Sequence, residues 1–428
     1  MASAPVRPKH ATGPRRPPGS ARIERAPGDP RRATPPGPAR QKREITDGKK
    51  ANSRRAGQIL SEGLASVRVP DGIFFNPAMR LCRDLSSLWV GAQPTVKNAL
   101  DAFCASGIRG LRYKLENGNV QSLTLLDADP AAAEAAKENI GLNKIEGGAA
   151  RAVCSPVEVF LSSNFGFDLV EIDPFGTPAP FLPFALRSCA SIKSLRLSLT
   201  ATDTAVLCGA HAPACINQYN AKPLDNEFCH ENALRILLGH LARAASQYDF
   251  SMHPQLCFSD RHYVKLLVEL RKGAPEAVRS SKLAMKFVAY CPRCRYHSLG
   301  GFPPASCPLC DAKCDWAGPL WGGAWADLST VKKIASLSKE RPYGSGPELS
   351  SLLAVLHSEL DAPGGNAPPL YYDLHELASA HKRRIPRVDD MLASLRSAGL
   401  FSSRTHFKDH SVRTDALLDE ILQFMPKI

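Results

Sequence analysis

Leu169-Val170-Glu171-Ile172-Asp173-Pro174-Phe175-Gly176 is the stretch on which the reading of this chain turns. Leu169 to Ile172 predicts a buried strand. Proline has no N–H to give to a ladder, so the strand stops at Asp173-Pro174. Asp-Pro-Phe-Gly then falls on a loop at the carboxyl edge of a sheet, where open α/β sheets bind ligands. The same residues also read as a strand followed by an ordinary Asp-Pro turn. The rest of the chain decides between the two.

Upstream, strand and helix patterns alternate. Ala99 to Phe103 predicts a strand that runs into Cys104-Ala105-Ser106-Gly107-Ile108-Arg109-Gly110. Small residues and two glycines there let the backbone approach a ligand, with a helix N-terminus behind it. Leu123 to Asp127, roughly 20 residues on, predicts a second strand ending in an acid, the place of a ribose-binding carboxylate. Ala131 to Leu142 predicts a helix, Ala152 to Cys154 a third strand and Asp168 to Ile172 a fourth. This alternation predicts a parallel, doubly wound sheet. Downstream, Leu195 to Thr200 predicts a strand with Thr202-Asp203 at the same sheet edge. Asp203 reads as a supporting group or as a helix cap. Asn232 to Tyr248 predicts a helix, and His253 to Ser259 and Tyr263 to Leu270 two strands that close the sheet.

A ligand loop after strand one, an acid after strand two and Asp-Pro-Phe-Gly after strand four form the layout of S-adenosylmethionine-dependent methyltransferases. The first loop is not Gly-x-Gly-x-x-Gly, which disfavours a dinucleotide dehydrogenase. The chemistry suits an exocyclic amine. Such a nitrogen is a poor nucleophile because its lone pair is delocalised into the ring. Acceptors on its protons, the Asp173 carboxylate and a nearby backbone carbonyl, would aim the lone pair at a methyl donor. Phe175 would stack on the flipped base.

Length and composition bound the rest. The 428 residues give room for two or three domains. No apolar run approaches the ~20 residues of a membrane span, so a soluble protein without a membrane partner is expected. The net charge of +13 favours a polyanionic partner. Residues 1–50 hold 13 Lys/Arg against 4 Asp/Glu, so most of that surplus is a tail. Residues 1–44, rich in Pro, Arg, Ala and Gly, cannot bury a core and are expected to be disordered. Arg40-Gln41-Lys42-Arg43 suggests a nuclear signal; the alternatives are mitochondrion and cytoplasm. The prolines oppose the amphipathic helix of a mitochondrial presequence. A monomer is compatible with the sequence, which specifies no oligomeric state.

The chain contains 13 Cys. Cys291-x-x-Cys294 and Cys307-x-x-Cys310 stand 12 residues apart. Two such knuckles can wrap one tetrahedral Zn2+ with four thiolates, leaving no site for water, so the ion would be structural. Cys314 is a spare ligand or a free thiol. Arg293, Arg295, Tyr296 and His297 would meet RNA or solvent. A second domain is expected from 276 to 428, after a catalytic domain over 45–275. Residues 361–369 read as a linker. Helices at Tyr372 to His381 and Val388 to Ala398, then a strand at Arg404 to Phe407, suggest a winged-helix-like unit. His381-Lys382-Arg383-Arg384, Arg387 and Arg404 give it a basic character suited to phosphates.

Several of these motifs together resemble one family. They are Asn76-Pro77-Ala78-Met79-Arg80-Leu81-Cys82-Arg83-Asp84, Ala105 to Gly110, Asp173-Pro174-Phe175-Gly176-Thr177-Pro178 and Thr200-Ala201-Thr202-Asp203. Leu207-Cys208-Gly209-Ala210-His211 and Arg404-Thr405-His406-Phe407 complete the set. The family is that of the tRNA (guanine-26) N2-dimethyltransferases, and the likeness covers roughly residues 45–428. It implies a Rossmann-like class I methyltransferase domain with a C-terminal α+β, zinc-bearing domain, and tRNA as partner. It implies that Arg83, Arg109 and Asp127 contact S-adenosyl-L-methionine, that Asp173 is the catalytic carboxylate, and that Phe74 and Phe175 sandwich the guanine. Where the family places an Asp-Ala pair to meet the adenine, this chain has Ser155-Pro156. Ser155 or the backbone would take over that contact. The departure leaves room for an enzyme acting on another amino nitrogen of RNA or DNA, or for an RNA-binding protein on a degenerate scaffold.

Overall fold

The computed structural model describes residues 57–341, 346–365 and 367–428. The tail predicted over 1–44 lies outside the described residues. β1 (Ile59–Glu62) and β2 (Ala65–Arg68) pair as an antiparallel hairpin, for which the sequence offered no reading. The main sheet follows: β3 (Val96–Asp101), β4 (Val120–Asp127), β5 (Ala150–Cys154), β6 (Leu169–Ile172), β7 (Ser194–Ala201), β8 (Phe250–Asp260) and β9 (Tyr263–Lys272). Its order is β5-β4-β3-β6-β7-β9-β8. The first five strands are parallel, and β9 runs antiparallel to both β7 and β8.

All seven predicted strands are present; the inner ones carry apolar runs that are buried in the core, while β5 at the edge stays half-exposed. Glu171 is a charged residue inside such a run. It is fully buried in β6, and burial works to raise its carboxyl. Lys265 at 2.6 Å and the Arg109 charge together outweigh that and hold it low, and the Tyr113 hydroxyl donates to its other oxygen at 2.7 Å. The charge is thus paired where an isolated one would be prohibitive.

The chain runs from β3 through β4 to β5 at one edge, then returns to place β6 on the other side of β3. That reversal is the switch point of an open α/β sheet, and it opens a crevice beyond the carboxyl ends of β3 and β6. The helix Pro130–Leu142 starts at that edge because Asp129 accepts from the Ala131 N–H at 2.9 Å and Pro130 takes its first turn.

Beyond residue 283 lies a three-stranded sheet, β10 (Lys286–Tyr290), β11 (His297–Gly300) and β12 (Asp315–Leu320), in the order β11-β10-β12. Helices Leu328–Glu340 and Pro347–Leu360 occupy a stretch to which the sequence reading assigned no element. The winged unit comprises β13 (Tyr372–Asp373), helices Leu374–His381 and Val388–Ser397, β14 (Ser402–Arg404) and β15 (Ser411–Thr414). Two predicted bounds are corrected here. The helix read from Tyr372 begins at Leu374, because Tyr372 and Asp373 pair with β15 and Asp373 caps the helix, accepting from His375 N–H at 2.8 Å. The strand read as Arg404 to Phe407 is Ser402–Arg404, because His406 leaves the ladder to bond Glu359.

One apolar core continues from β2 through the main sheet to Trp321, Trp325, Leu353 and Phe407. Gly239 makes part of that continuity possible. A Cβ there would stand 2.9 Å from the backbone nitrogen of Trp321, so β12 and the helix Cys229–Ser246 could not close together. A smaller core gathers the knuckle cysteines with Leu374, Leu377, Met391 and Ile421.

Candidate active site

The carboxyl ends of β3, β4 and β6 converge on a cavity of about 260 Å3. Phe74, Arg83, Asp101, Arg109, Asp127, Asp173 and Phe175 are among the side chains that line it. The structure therefore brings together six residues that the sequence reading placed in one site.

The floor is the loop Cys104–Gly107 and the first turn of the helix Ile108–Glu116. Gly107 adopts φ +79°, and a Cβ there would meet Leu125 at 2.9 Å, so only glycine permits the turn. Gly110 packs as closely, with Leu125 at 2.4 Å from a would-be Cβ. Asp127 ends β4 and steadies this loop. Its Oδ2 accepts from the Ala105 N–H at 2.9 Å, and its Oδ1 from the Asp129 N–H at 3.0 Å. Each oxygen keeps a lone pair for a further donor.

Arg109 rises from the helix behind this loop, and its Nη2 donates to Asp173 Oδ2. Its Nε lies 3.8 Å from Glu171, and Ser86 accepts from Nη1 at 3.3 Å. The guanidinium thus orients the Asp173 carboxylate, leaving Oδ1 to accept from a ligand. Arg83 is also spoken for: it forms a two-pronged pair with Glu62 of β1 at 2.7 Å, and donates to the Asn76 carbonyl at 3.1 Å. Burial works to raise the Glu62 carboxyl, and Arg83 with Arg112 outweighs it.

The loop after β6 is pinned at its far end. Thr202 Oγ1 accepts from the Gly176 N–H at 2.7 Å, and the Thr202 N–H returns a bond to Gly176 O at 3.0 Å. Asp203 accepts from the Tyr219 hydroxyl at 2.9 Å and makes no side-chain cap bond, so it supports the loop through the neighbouring helix. Phe175 stands 80% exposed at the rim with Phe74 half exposed beside it. Their rings meet edge to face, centroids 4.8 Å apart at 84°.

Ser155 and Pro156 are outside this lining. They follow β5, where the Ser155 N–H donates to Asp127 O at 3.0 Å and its hydroxyl turns to Pro156 O at 3.2 Å. They flank the acid after β4 through the backbone.

Asp101 went unassigned in the sequence. It is buried at the end of β3 and lines the cavity. Burial, then the charges of Glu171 and Asp173, push its carboxyl up to about 7 despite Arg109 and a 3.0 Å bond from the Gly110 N–H. The signal was an acid closing an apolar strand at the binding edge.

The four knuckle thiols do meet. The Sγ atoms of Cys291, Cys294, Cys307 and Cys310 lie within 4.8 Å of one another, with the pairs 291–310 and 294–307 at 3.5 Å. Zn–S bonds of about 2.3 Å imply tetrahedral edges of about 3.8 Å, so the donors fit one zinc ion. Cys314 stands outside this group of four. Two residues read as RNA or solvent contacts are half-buried and engaged with neighbouring side chains. Arg295 pairs with Glu376 at 2.6 Å, and burial of His297 beneath Tyr372 pushes its ring down to about 4.

Known proteins resemble this chain in sequence and fold. Residues 52–426 match the family described as N2,N2-dimethylguanosine tRNA methyltransferase. The tRNA (guanine(26)-N(2))-dimethyltransferase of Methanothermobacter thermautotrophicus is 37% identical over 381 residues, 85% of this chain and 97% of that protein. The protein of the same name from Haloarcula marismortui is 34% identical, over 85% of this chain and 98% of its own. Among solved structures, Trm1 from Pyrococcus horikoshii in complex with S-adenosyl-L-methionine superimposes with a TM-score of 0.78 at 29% identity. That match covers 86% of this chain and 100% of the other.

Proposed function

This chain belongs to the N2,N2-dimethylguanosine tRNA methyltransferase family, and we propose that it methylates the exocyclic N2 of guanine 26 in tRNA, using S-adenosyl-L-methionine, at the cavity between β3, β4 and β6. The observation that carries the reading is the Arg109-oriented Asp173 carboxylate at the end of β6, between the glycine-turned loop and the aromatic rim. The donor set fits the cofactor: an acid after β4 with open lone pairs for ribose hydroxyls, and a loop whose glycines admit close backbone approach. When bound, the cofactor supplies an electrophilic methyl group.

The chain's own residues do the rest. Asp173 Oδ1 accepts an N–H of the guanine amine, which holds the nitrogen with its lone pair facing the methyl donor. Arg109 keeps the carboxylate in that orientation, and the proton shed by the nitrogen leaves through the same carboxylate. Phe175 and Phe74 hold the flipped base by stacking. In the winged unit, the exposed Lys382, Arg384 and Arg387 offer charges to tRNA phosphates. The four-cysteine cluster holds structural zinc. Isotopically labelled cofactor, tRNA carrying guanine or adenine at position 26, and mass spectrometry of the digested nucleosides test the proposal. Expected is N2-methylated guanosine from the first tRNA alone; label elsewhere, or none, overturns it.

A further inference from the structure

A second group of soft donors stands apart from the knuckles and plays no part in the proposed reaction. Cys208 Sγ, Cys229 Sγ and His230 Nδ1 lie within 4.8 Å of one another. Cys208 follows the short helix Thr204–Leu207 behind β7, and Cys229 and His230 open the long helix Cys229–Ser246. The Cys208 Sγ to His230 Nδ1 distance is 3.5 Å. Bonds of about 2.3 Å to sulfur and about 2.0–2.1 Å to imidazole imply a tetrahedral edge of about 3.6 Å, so the spacing suits a metal ion.

The approach of these segments is built into the backbone. Gly209 adopts φ +109°, and a Cβ there would stand 2.7 Å from the backbone nitrogen of Asp225. Only glycine lets the loop after Cys208 close on the segment that leads into Cys229. All three donors are half-buried, so an ion can reach them from solvent.

We infer that Cys208, Cys229 and His230 form a second metal site, binding one zinc-class divalent cation through two thiolates and one imidazole, with water in the fourth position. Binding releases the two thiol protons to solvent. The ion would tie the chain just beyond Thr202, which pins the Asp-Pro-Phe-Gly loop, to the N-terminus of the long helix.

The test is metal content of the full-length protein, reduced, loaded with zinc or cobalt(II), and freed of excess metal. The expected content is about two ions per chain for the unchanged protein and about one for Cys208→Ser, His230→Gln or Cys307→Ser. With cobalt(II), the six thiolate bonds of two sites become four in Cys208→Ser, so the sulfur-to-metal absorption falls by about a third. Loss of the knuckle ion in Cys307→Ser should leave the ion on Cys208, Cys229 and His230 in place, which keeps the two sites separable. Content of about one ion that Cys208→Ser and His230→Gln leave unchanged overturns the inference. So does mass analysis showing Cys208 and Cys229 joined as a disulfide after metal loading.

Discussion

Phe74 and Phe175 touch edge to face across the mouth of the cavity, centroids 4.8 Å apart. A base stacked between two rings needs them roughly parallel and about 7 Å apart, so these two must swing open to admit guanine. Both are substantially exposed, so little packing resists that motion. Phe175→Ala is expected to lose about 1–3 kcal/mol of base stacking. Titration of fluorescent tRNA against the variant reads that loss, while cofactor binding by calorimetry should stay unchanged.

Asp173→Asn keeps the shape of the group and removes its charge. Single-turnover methylation is expected to fall by about 100-fold or more, with cofactor and tRNA affinity near the wild-type values, because the carboxylate acts in the transition state. Near-normal single-turnover rates would remove Asp173 from the mechanism.

Asp127 already accepts two backbone N–H bonds, one from Ala105 in the ligand loop and one from Asp129 beyond β4. Asp127→Ala should weaken S-adenosylmethionine binding by about 1.5–3 kcal/mol, the range for hydrogen bonds to a charged group. Calorimetry measures this directly, and an unchanged affinity would point to a different ribose contact.

Asp101 gives a pH signature. Its carboxyl rises from 3.8 to about 7 in the fold. Between those values the folded protein holds a proton that the unfolded chain releases. The group's contribution to stability is therefore full below pH ~4 and is lost as pH rises through about 7. Asp101→Asn should remove that slope. Urea midpoints compared at pH 5.5 and 8 are expected to favour the variant more at pH 8; a constant difference would contradict the shift.

Arg413 on β15 and Glu231 on the long helix pair at 2.8 Å, both fully buried, and Arg413 also reaches Glu359 at 3.0 Å. Arg413→Ala would remove the cation shared by two buried carboxylates, leaving Glu231 with Arg235 and Glu359 with His406, at a cost of about 3–5 kcal/mol. Denaturant unfolding should show that loss.

The sequence by itself determined the sheet and its binding edge. Apolar runs punctuated by Gly, Pro and a terminal acid, as in Leu123–Asp127 and Leu169–Pro174, are local signals that need no tertiary partner to read. The knuckle spacing was legible for the same reason, since four cysteines in two pairs carry their geometry in the chain. Tertiary structure decided what depends on distant partners. Glu171 reads as an interruption until Lys265 arrives from β9. Arg109 and Arg83 read alike in the sequence; in the fold both line the cavity, where one orients Asp173 and the other pairs with Glu62 of a hairpin. The titration of Asp101, the burial of His297 and the meeting of Cys208 with His230 likewise follow from dielectric and packing. Those are properties of the folded surroundings, which no window of sequence contains.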